Sequence, residues 1–444
     1  MDKTIEKVRK LSKGEMADYS ANLMVGGGTP GPCIVSGKGV RIVDDDGKSY
    51  IDCTSQSWAM YLGFGNEEIR ETVYEHMSEL SHVHQGFHTK QRYSLAHRLA
   101  GLAPKNLNRV SFTVGGGPAI EAAMKIALKN KPGAKIFCCQ WDSYHGSGLT
   151  AAGASWVATK AGGSYTGQAQ FINDINTNFV RIPNPYCYRC PFNKSVETCG
   201  CECAEFSRLI IQKGVIGPLA GIIIEPVQAS GGQIPAPKKY LQRIRRIADE
   251  FDALLIFDEI QTYIRVGDWY ASNHYGVEPD IIVLGKALGA GFPIAAIIIH
   301  DRLKGFEMSA EELHTFANNS VSQIAALKQI DIIERDNLLD NTNAMGKRIA
   351  DKLNGLKKDF PHIGDVRQVG LHIGVELIDL ETGQNMEIGL ATKIRGAALK
   401  NGLVLGTGGI NKGLLKFKPS LIINSDEVDE VIDIFGSTLR EVLG

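Results

Sequence analysis

The sequence predicts an α/β protein with a large domain, in which helices cover a mostly parallel sheet, and a smaller α+β domain built from both termini. Three observations support this fold class. Short apolar runs without polar alternation recur through the middle of the chain, charged amphipathic segments separate them, and the C-terminal part is richer in helix. Uninterrupted apolar runs are typical of strands that are buried on both faces of a sheet.

The predicted strands of the large domain are these apolar runs: Ile136–Cys139, Leu219–Ile224, Ala253–Phe257, Ile281–Leu284 and Ala295–Ile299. Between the second and third of them, the charged amphipathic segment Lys238–Phe251 predicts a crossover helix. Nearer the N-terminus, Asp45-Asp46-Gly47 stands between Val40–Val43 and Ser49–Asp52, and this pattern predicts a hairpin turn between two strands.

We expect three segments along the chain. Residues 1–60 contribute an N-terminal part of the small domain, 61–303 form the large domain, and 304–444 complete the small domain. Within the last segment we predict helices near 320–358, a strand at Leu371–Leu377 and a terminal helix from Asp426.

Composition restricts the class of function. The 444 residues are 43% hydrophobic and 22% charged with a formal net charge of −1, so charge gives no reason to expect nucleic acid or an anionic membrane as the main partner. The polar start Met1–Glu6 lacks the apolar core of a signal peptide. Nine cysteines then suggest a reducing cytoplasm, with free thiols or a metal site instead of disulfides.

Two charged residues follow predicted strands at the edge where open α/β sheets bind ligands. Lys286 stands in the small-residue segment Leu284–Gly291, and an apolar site favours the nucleophilic free amine of a lysine. Asp258 closes another strand and could face a cofactor nitrogen. Taken alone, Lys286 also fits a surface lysine, and Asp258 fits a structural hydrogen-bond acceptor.

Two further features could contact a phosphate and an aromatic ring, respectively. Gly115–Pro118 precedes a predicted helix over Ala119–Leu128, and the start of a helix offers backbone N–H groups to a phosphate. Tyr144 follows the strand Ile136–Cys139 and could stack on a ring. An ordinary turn explains the glycines about as well, and a single tyrosine at a strand end is more often an ordinary core aromatic.

The order and spacing of these features resemble class III aminotransferases, the family of ornithine, 4-aminobutyrate and acetylornithine aminotransferases and dialkylglycine decarboxylase. The resemblance runs from about residue 25 to the C-terminus and is most specific at "IFDEIQ" and "LGKALGAG", within 254–298. It implies a fold-type I enzyme that depends on pyridoxal phosphate. Lys286 would then be the Schiff-base lysine and proton shuttle, Asp258 the partner of the pyridine nitrogen, and Gln261 the neighbour of the ring hydroxyl.

The resemblance also implies the remaining cofactor contacts. They are Gly116 and Gly117 at the phosphate, Tyr144 stacked on the ring with His145 next to it, Glu225 in the pocket lining, and Thr315 at the phosphate of the partner subunit. The last of these contacts implies a homodimer with shared active sites.

Two departures from the family pattern bear on function. The phosphate turn lacks its usual hydroxyls, because Gly115–Pro118 replaces them. Ser230 and Lys416 replace a glutamate and an arginine that commonly form a gate for two different substrates, and lysine lacks the planar fork of arginine. Lys416 or Lys418 could still meet a carboxylate as a point charge, or both could be exposed charges on an edge strand. Trp58 and Tyr61 could line an apolar substrate pocket or belong to the core.

Five cysteines lie close together in the sequence, at Cys187, Cys190, Cys199, Cys201 and Cys203. A Cys-x-x-Cys pair followed by a second cysteine group is typical of a structural zinc loop. A thiol-rich surface insertion is the alternative.

The sequence therefore predicts a pyridoxal-phosphate aminotransferase that moves an amino group from an amino acid or amine to a 2-oxo acid through Lys286. A racemase or epimerase, a decarboxylase and a phospho-lyase on the same fold remain alternatives, because they differ in which Cα bond breaks and where the proton returns. A non-catalytic binding protein with this fold is a third hypothesis, suggested by the unusual glycine turn.

Overall fold

The computed structural model describes residues 3–24, 31–156, 178–384, 388–410 and 413–444. The chain forms two compact units, Met1–Ile34 and Val35–Gly444. The first unit contains helices α1 (Lys3–Arg9) and α2 (Lys13–Ser20), and Ser12 caps α2 in a capping box with Glu15. The predicted domain boundaries at 60 and 303 stay a prediction.

A seven-stranded sheet dominates the second unit. Its spatial order is β4 (Leu107–Thr113), β12 (Ala295–His300), β11 (Ile281–Leu284), β10 (Leu254–Asp258), β7 (Leu219–Ile224), β5 (Ile136–Gln140) and β6 (Phe179–Ile182). Strand β12 runs antiparallel to both of its neighbours, and the other pairs are parallel. The predicted mostly parallel sheet is confirmed, and each predicted strand matches an observed one within one residue at either end.

Eleven helices of the second unit are described. They are α3 (Glu67–Met77), α4 (Lys90–Leu102), α5 (Gly116–Asn130), α6 (Leu149–Ala154), α7 (Glu202–Gly214), α8 (Lys238–Glu250), α9 (Ala271–Tyr275), α10 (Ser320–Arg335), α11 (Leu338–Leu356), α12 (Ile388–Lys400) and α13 (Ser425–Leu443). Helix α8 confirms the predicted crossover between β7 and β10. Within the described ranges, no helix combines the length and the apolarity needed to cross a membrane.

Three smaller sheets complete the unit. One has the order β1 (Ile34–Lys38), β2 (Arg41–Asp44), β3 (Ser49–Asp52) and β15 (Leu403–Val404); another has the order β13 (Ile363–Val369), β14 (His372–Leu377), β17 (Leu414–Phe417) and β16 (Gly406–Gly408); and β8 (Val227–Gln228) pairs with β9 (Ile234–Pro235). The predicted hairpin at Asp45-Asp46-Gly47 is confirmed, because β2 and β3 pair antiparallel and Gly47 has a φ of +81°.

Helix α5 begins at Gly116, three residues before the predicted start at Ala119. Glycine disfavours helix interiors, which is why the sequence alone suggests a loop at this point. Close packing explains the difference, because a Cβ on Gly116 would lie 2.8 Å from Cδ1 of Ile260. Gly116 and Gly117 therefore belong to the first turn of the helix.

Parallel pairing places the ends of four strands at one edge of the large sheet. Asp258 ends β10, Glu225 follows β7, Tyr144 follows β5, and Lys286 follows β11. The carboxyl ends of parallel strands are where open α/β sheets bind ligands. The topology thus brings together side chains that are far apart in the sequence.

Candidate active site

A cavity of about 360 Å³ lies at this edge of the sheet. Its lining includes the cofactor contacts that we predicted within one subunit: Gly116, Gly117, Tyr144, His145, Glu225, Asp258, Gln261 and Lys286. The predicted residues therefore share one site.

Lys286 owes its position to an unusual backbone. Gly285 is extended, and Lys286 then takes a left-handed φ of +47° at the start of a 3₁₀ turn, Lys286–Gly289. A Cβ on Gly285 would lie 3.4 Å from Cα of Gly116, so the lysine strand and the start of α5 pack closely. The side chain of Lys286 is half-buried, and its Nζ lies 5.9 Å from the ring centroid of Trp58.

Asp258 and His145 form a buried pair. The Oδ2 atom of Asp258 lies 2.7 Å from Nδ1 of His145, and the backbone N–H of Ile260 donates to Oδ1 at 3.1 Å. The two side chains are only 4% and 2% exposed. Nε2 of His145 is buried and has no hydrogen-bond partner within the described part of the chain. An acidic group is therefore held rigidly at the end of the central strand.

Glu225 organises the backbone around the cavity. Its carboxylate accepts hydrogen bonds from the N–H groups of Tyr144 at 2.9 Å and Ala229 at 3.0 Å. Burial raises the pKa of Glu225, and the nearby His145 ring opposes this shift. Glu225 thus fixes the segment that carries the predicted stacking aromatic.

The start of α5 provides a cradle for an anion. The N-cap residue of α5 is Gly115, so no side chain caps the first N–H groups of the helix. The first N–H groups of any helix lack an intrahelical acceptor. Gly146 has a φ of +134°, and a Cβ there would lie 2.8 Å from Cα of Gly117. Only glycine leaves this space open, so backbone donors can take over from the missing hydroxyls.

These residues fit pyridoxal phosphate. The cavity offers an amine for the aldehyde carbon, a carboxylate for the ring nitrogen, an aromatic side chain, and a helix start for the phosphate. The site holds no group that conflicts with this assignment among the described residues that line it.

Several predicted residues lie outside this lining as far as the structure describes it: Trp58, Tyr61, Ser230, Thr315 and Lys416. Thr315 is exposed in a turn, and Ser230 is buried. Tyr61 is fully buried, and its hydroxyl donates to the carbonyl of Tyr263 at 2.9 Å. The roles of these residues in binding stay predictions.

Trp58 ends a short turn, Ser55–Trp58, in which four consecutive non-glycine residues have positive φ values of 43°, 44°, 60° and 69°. The Asp52 carboxylate holds this turn by accepting from the N–H groups of Thr54 at 2.7 Å and Gln56 at 3.0 Å. The Ser55 hydroxyl donates to the carbonyl of Lys418 at 2.6 Å.

Three lysines surround the ring of Trp58. Besides Lys286, the Nζ atoms of Lys416 and Lys418 lie 5.0 and 4.6 Å from the ring centroid. We call Trp58, Lys286, Lys416 and Lys418 the lysine–tryptophan cluster. The alternative in which Lys416 and Lys418 are exposed charges on an edge strand is wrong, because both are buried and β17 lies between β14 and β16.

Lys416 stands out within the cluster. Its Nζ has no hydrogen-bond partner in the described ranges, and burial lowers its pKa to about 8. Gly408 leaves room for it, because a Cβ there would lie 2.1 Å from Cε of Lys416. The lysine–tryptophan cluster therefore contains a buried amine that has no hydrogen-bond partner among the described residues.

Sequence reasoning missed two buried residues beside the cluster. His372 lies with its Nε2 2.9 Å from Nζ of Lys418. Arg265 donates to the carbonyls of Leu371 at 3.1 Å and Pro419 at 2.8 Å. The spacing of Lys416 and Lys418 was a usable signal for the cluster itself, because residues two apart in an extended chain share a face. No local pattern marks His372 or Arg265.

The cysteine segment does not support the zinc hypothesis. No group of three or more metal-ligating side chains is arranged to hold an ion in the described ranges, which include all five cysteines. Instead, the Cys199 thiol donates to Glu202 at 2.9 Å. A hydrogen bond from Cys203 lowers the pKa of Cys201 to about 7. The segment thus holds thiols with unequal acidity.

Comparison with known proteins gives consistent matches. Residues 26–439 match the family described as aminotransferase class-III. A probable aminotransferase of Mycobacterium tuberculosis is 33% identical over 94% of this chain and 91% of the relative. A leucine/methionine racemase of Thermococcus litoralis is 30% identical over 92% and 90%. An amine transaminase from an uncultivated Pseudomonas species, solved in its PLP-bound form, is 25% identical, with a TM-score of 0.84 over 93% and 95%.

Proposed function

The chain belongs to the class III aminotransferases, fold-type I enzymes that depend on pyridoxal phosphate, and we propose that Lys286 is the residue that binds the cofactor. One observation carries this assignment: Lys286, Asp258 and the glycine start of α5 line the same cavity. The reaction is the transfer of an amino group from an amino acid or amine to a 2-oxo acid.

Each residue has a defined task in this proposal. The bound cofactor supplies an electron sink for the negative charge that develops at the substrate Cα. The Lys286 amine removes the Cα proton and returns it at a neighbouring carbon. Asp258, which is fixed by His145, holds the proton on the ring nitrogen. The N–H groups of Gly116 and Gly117 hold the phosphate.

We assign the carboxylate of the substrate to Lys416. Its buried Nζ has no hydrogen-bond partner in the described part of the chain, and it lies over the ring of Trp58. Serine at position 230 supplies no negative charge to mask a cation. The site therefore favours a donor and an acceptor that place a carboxylate at the same point, as an α-amino acid and a 2-oxo acid do.

We also propose a cytoplasmic homodimer in which Thr315 reaches the phosphate of the partner subunit. Thr315 is exposed at a turn and does not line the cavity of its own subunit, as far as the structure describes it, and both facts are consistent with a role across an interface. All nine cysteines are free, which supports a reducing compartment.

Borohydride labelling tests the assignment of Lys286. Reduction of the loaded protein should fix the cofactor on the peptide that contains Lys286, as seen by mass spectrometry. The variant Lys286→Ala should carry no label, and Lys416→Met and Lys418→Met should keep it. Because three lysines lie close to Trp58, the labelled peptide and the variants together show which of the three binds the cofactor. A label on either of the other two would overturn the assignment.

A racemase is the second candidate, favoured by the 30% identity with the Thermococcus litoralis relative and by the absence of a glutamate at Ser230. The two activities separate when one enantiomer of an amino acid is incubated without a 2-oxo acid. Without a 2-oxo acid to accept the amino group, an aminotransferase should stop after one turnover of each enzyme molecule. The optical rotation should then stay essentially unchanged. Continuous loss of rotation would decide for racemisation.

A further inference from the structure

Gln261 lies between the cavity and a buried lysine. It lines the cavity with Asp258 and Lys286, and only 7% of it is exposed. Its Oε1 atom accepts a hydrogen bond from Nζ of Lys418 at 2.9 Å. Lys418 is itself fully buried. The two residues are 157 positions apart, so the contact depends on the fold alone.

The direction of this hydrogen bond orients the amide. A primary amide has an acceptor oxygen at one end and a donor NH₂ at the other, whereas a lysine amine carries N–H donors in either charge state. Once Lys418 engages the oxygen of Gln261, the donor end of the amide is the end left for the cavity. Without Lys418, the two orientations would be closer in free energy.

Lys418 is fixed on three sides. Besides Gln261, its Nζ lies 2.9 Å from Nε2 of His372 and 4.6 Å from the ring centroid of Trp58. Burial holds the pKa of His372 well below its usual range, so the ring is neutral. A neutral imidazole nitrogen can share a hydrogen bond with the amine and restrict it to one position.

The surroundings of Lys418 make the burial of its amine unfavourable. Burial holds the pKa of Lys418 well below its usual range, and the charges of Lys416, Arg265 and Lys286 lower it further, whereas Glu225 opposes them. An amine in such a place costs stability relative to an apolar side chain of similar size. Its contact with Gln261 points to a role in the chemistry.

We propose that Lys418 is a positioning residue that holds the amide of Gln261 with its NH₂ facing the ring hydroxyl of the cofactor. The inference rests on the proposed function, because it requires the cofactor to be bound at Lys286. A donor that faces the deprotonated ring oxygen stabilises negative charge there. This lowers the proton affinity of the adjoining Schiff-base nitrogen, which can be measured without turnover.

The readout is the pH titration of the visible absorption band of the loaded protein. Lys418→Met removes the donor, so the midpoint of the titration should rise by on the order of one pH unit. Lys418→Arg keeps a side chain that carries only N–H donors and should restore a midpoint near that of the unchanged protein. Cofactor content and melting temperature are recorded for each variant.

A double-mutant cycle separates positioning from simple electrostatics. In a Gln261→Leu background, Lys418→Met should produce no further shift, because the amide that it orients is gone. Lys416→Met is the matched control: it removes another buried amine beside Trp58, on β17 and two residues before Lys418. Its effect on the midpoint should be equal in both backgrounds.

The possible outcomes distinguish failure of the proposed function from failure of the positioning role of Lys418. Absence of a visible band and of a borohydride label at Lys286 in the unchanged protein would reject the proposed function itself. A normal band with equal Lys418→Met shifts in both backgrounds would reject only the positioning role. Failure of both Lys418 variants to fold would assign Lys418 a structural role and would also overturn the inference.

Discussion

At the scale of the residue, Lys416 has the clearest dependence on pH. Its pKa of about 8 in the folded protein is below the ordinary 10.5 of the unfolded chain, because burial disfavours the charge. Between these two values the unfolded chain binds more protons, so the free energy of unfolding rises with pH across that window. Lys416→Met should flatten this rise.

The same titration predicts how substrate binding responds to pH. A carboxylate bound by protonated Lys416 should bind more weakly as pH rises through about 8, because the free enzyme loses the charge. The KM of an α-amino acid should therefore increase on the alkaline side. Lys416→Met should raise KM roughly 10- to 100-fold at neutral pH and remove that increase.

Steady-state kinetics from pH 7 to 9 with an amine donor that lacks a carboxylate provide the control. Its KM should respond little to the substitution. Equal effects on both donors would show that Lys416 does not bind the carboxylate.

At the scale of the element, the β13–β14 hairpin connects the buried Arg265 to the cluster. Its turn contains Gly370, which has a φ of +53° and lies so close that a Cβ would come within 2.2 Å of the carbonyl oxygen of Arg265. The N–H of Leu371 donates to the same carbonyl at 3.0 Å. The next residue along, His372, begins β14 and contacts Lys418.

Gly370→Ala should therefore destabilise the protein by about 3 kcal/mol or more, from left-handed backbone strain together with the steric clash. Gly383→Ala is the control, because Gly383 also has a positive φ of +66° but a Cβ there would meet nothing within 4 Å. It should cost only about 1 kcal/mol. Denaturant unfolding at fixed cofactor concentration measures both. Equal losses would contradict the close contact at Gly370.

The sequence predicted the positions of the secondary-structure elements better than the contacts between them. Apolar runs identified β7 and β11 without error, because burial on both faces leaves a local pattern. The antiparallel direction of β12 left no such mark, since its residues are as apolar as those of its parallel neighbours. The bond between Gln261 and Lys418 could not be predicted either, because it depends on how the strand β17 meets the large sheet.

At the scale of the whole molecule, the proposed exchange of Thr315 between subunits predicts complementation. Lys286→Ala and Thr315→Ala homodimers should each be impaired. In a mixed dimer, the intact Lys286 of one chain would share a site with the intact Thr315 of the other. Random exchange of equal amounts should restore about a quarter of full activity, because half of the dimers carry one intact site of two.

Activity and cofactor affinity after subunit exchange measure this recovery, and a mixture kept below the exchange temperature provides the baseline. If Thr315 acted within its own subunit, no intact site would form in the mixed dimer. Activity at the level of the unmixed proteins would therefore exclude the shared site.

The left-handed turn at Ser55–Trp58 has a consequence for laboratory evolution of the substrate range. Gln56 and Ser57 are exposed, so glycine at either position would relieve strain without loss of packing. Substitutions of Trp58 would remove the ring that covers three amines and would lower the free energy of unfolding. The order of mutations therefore matters: a library that first installs glycine at these positions should tolerate more replacements of Trp58 than one that begins with the tryptophan.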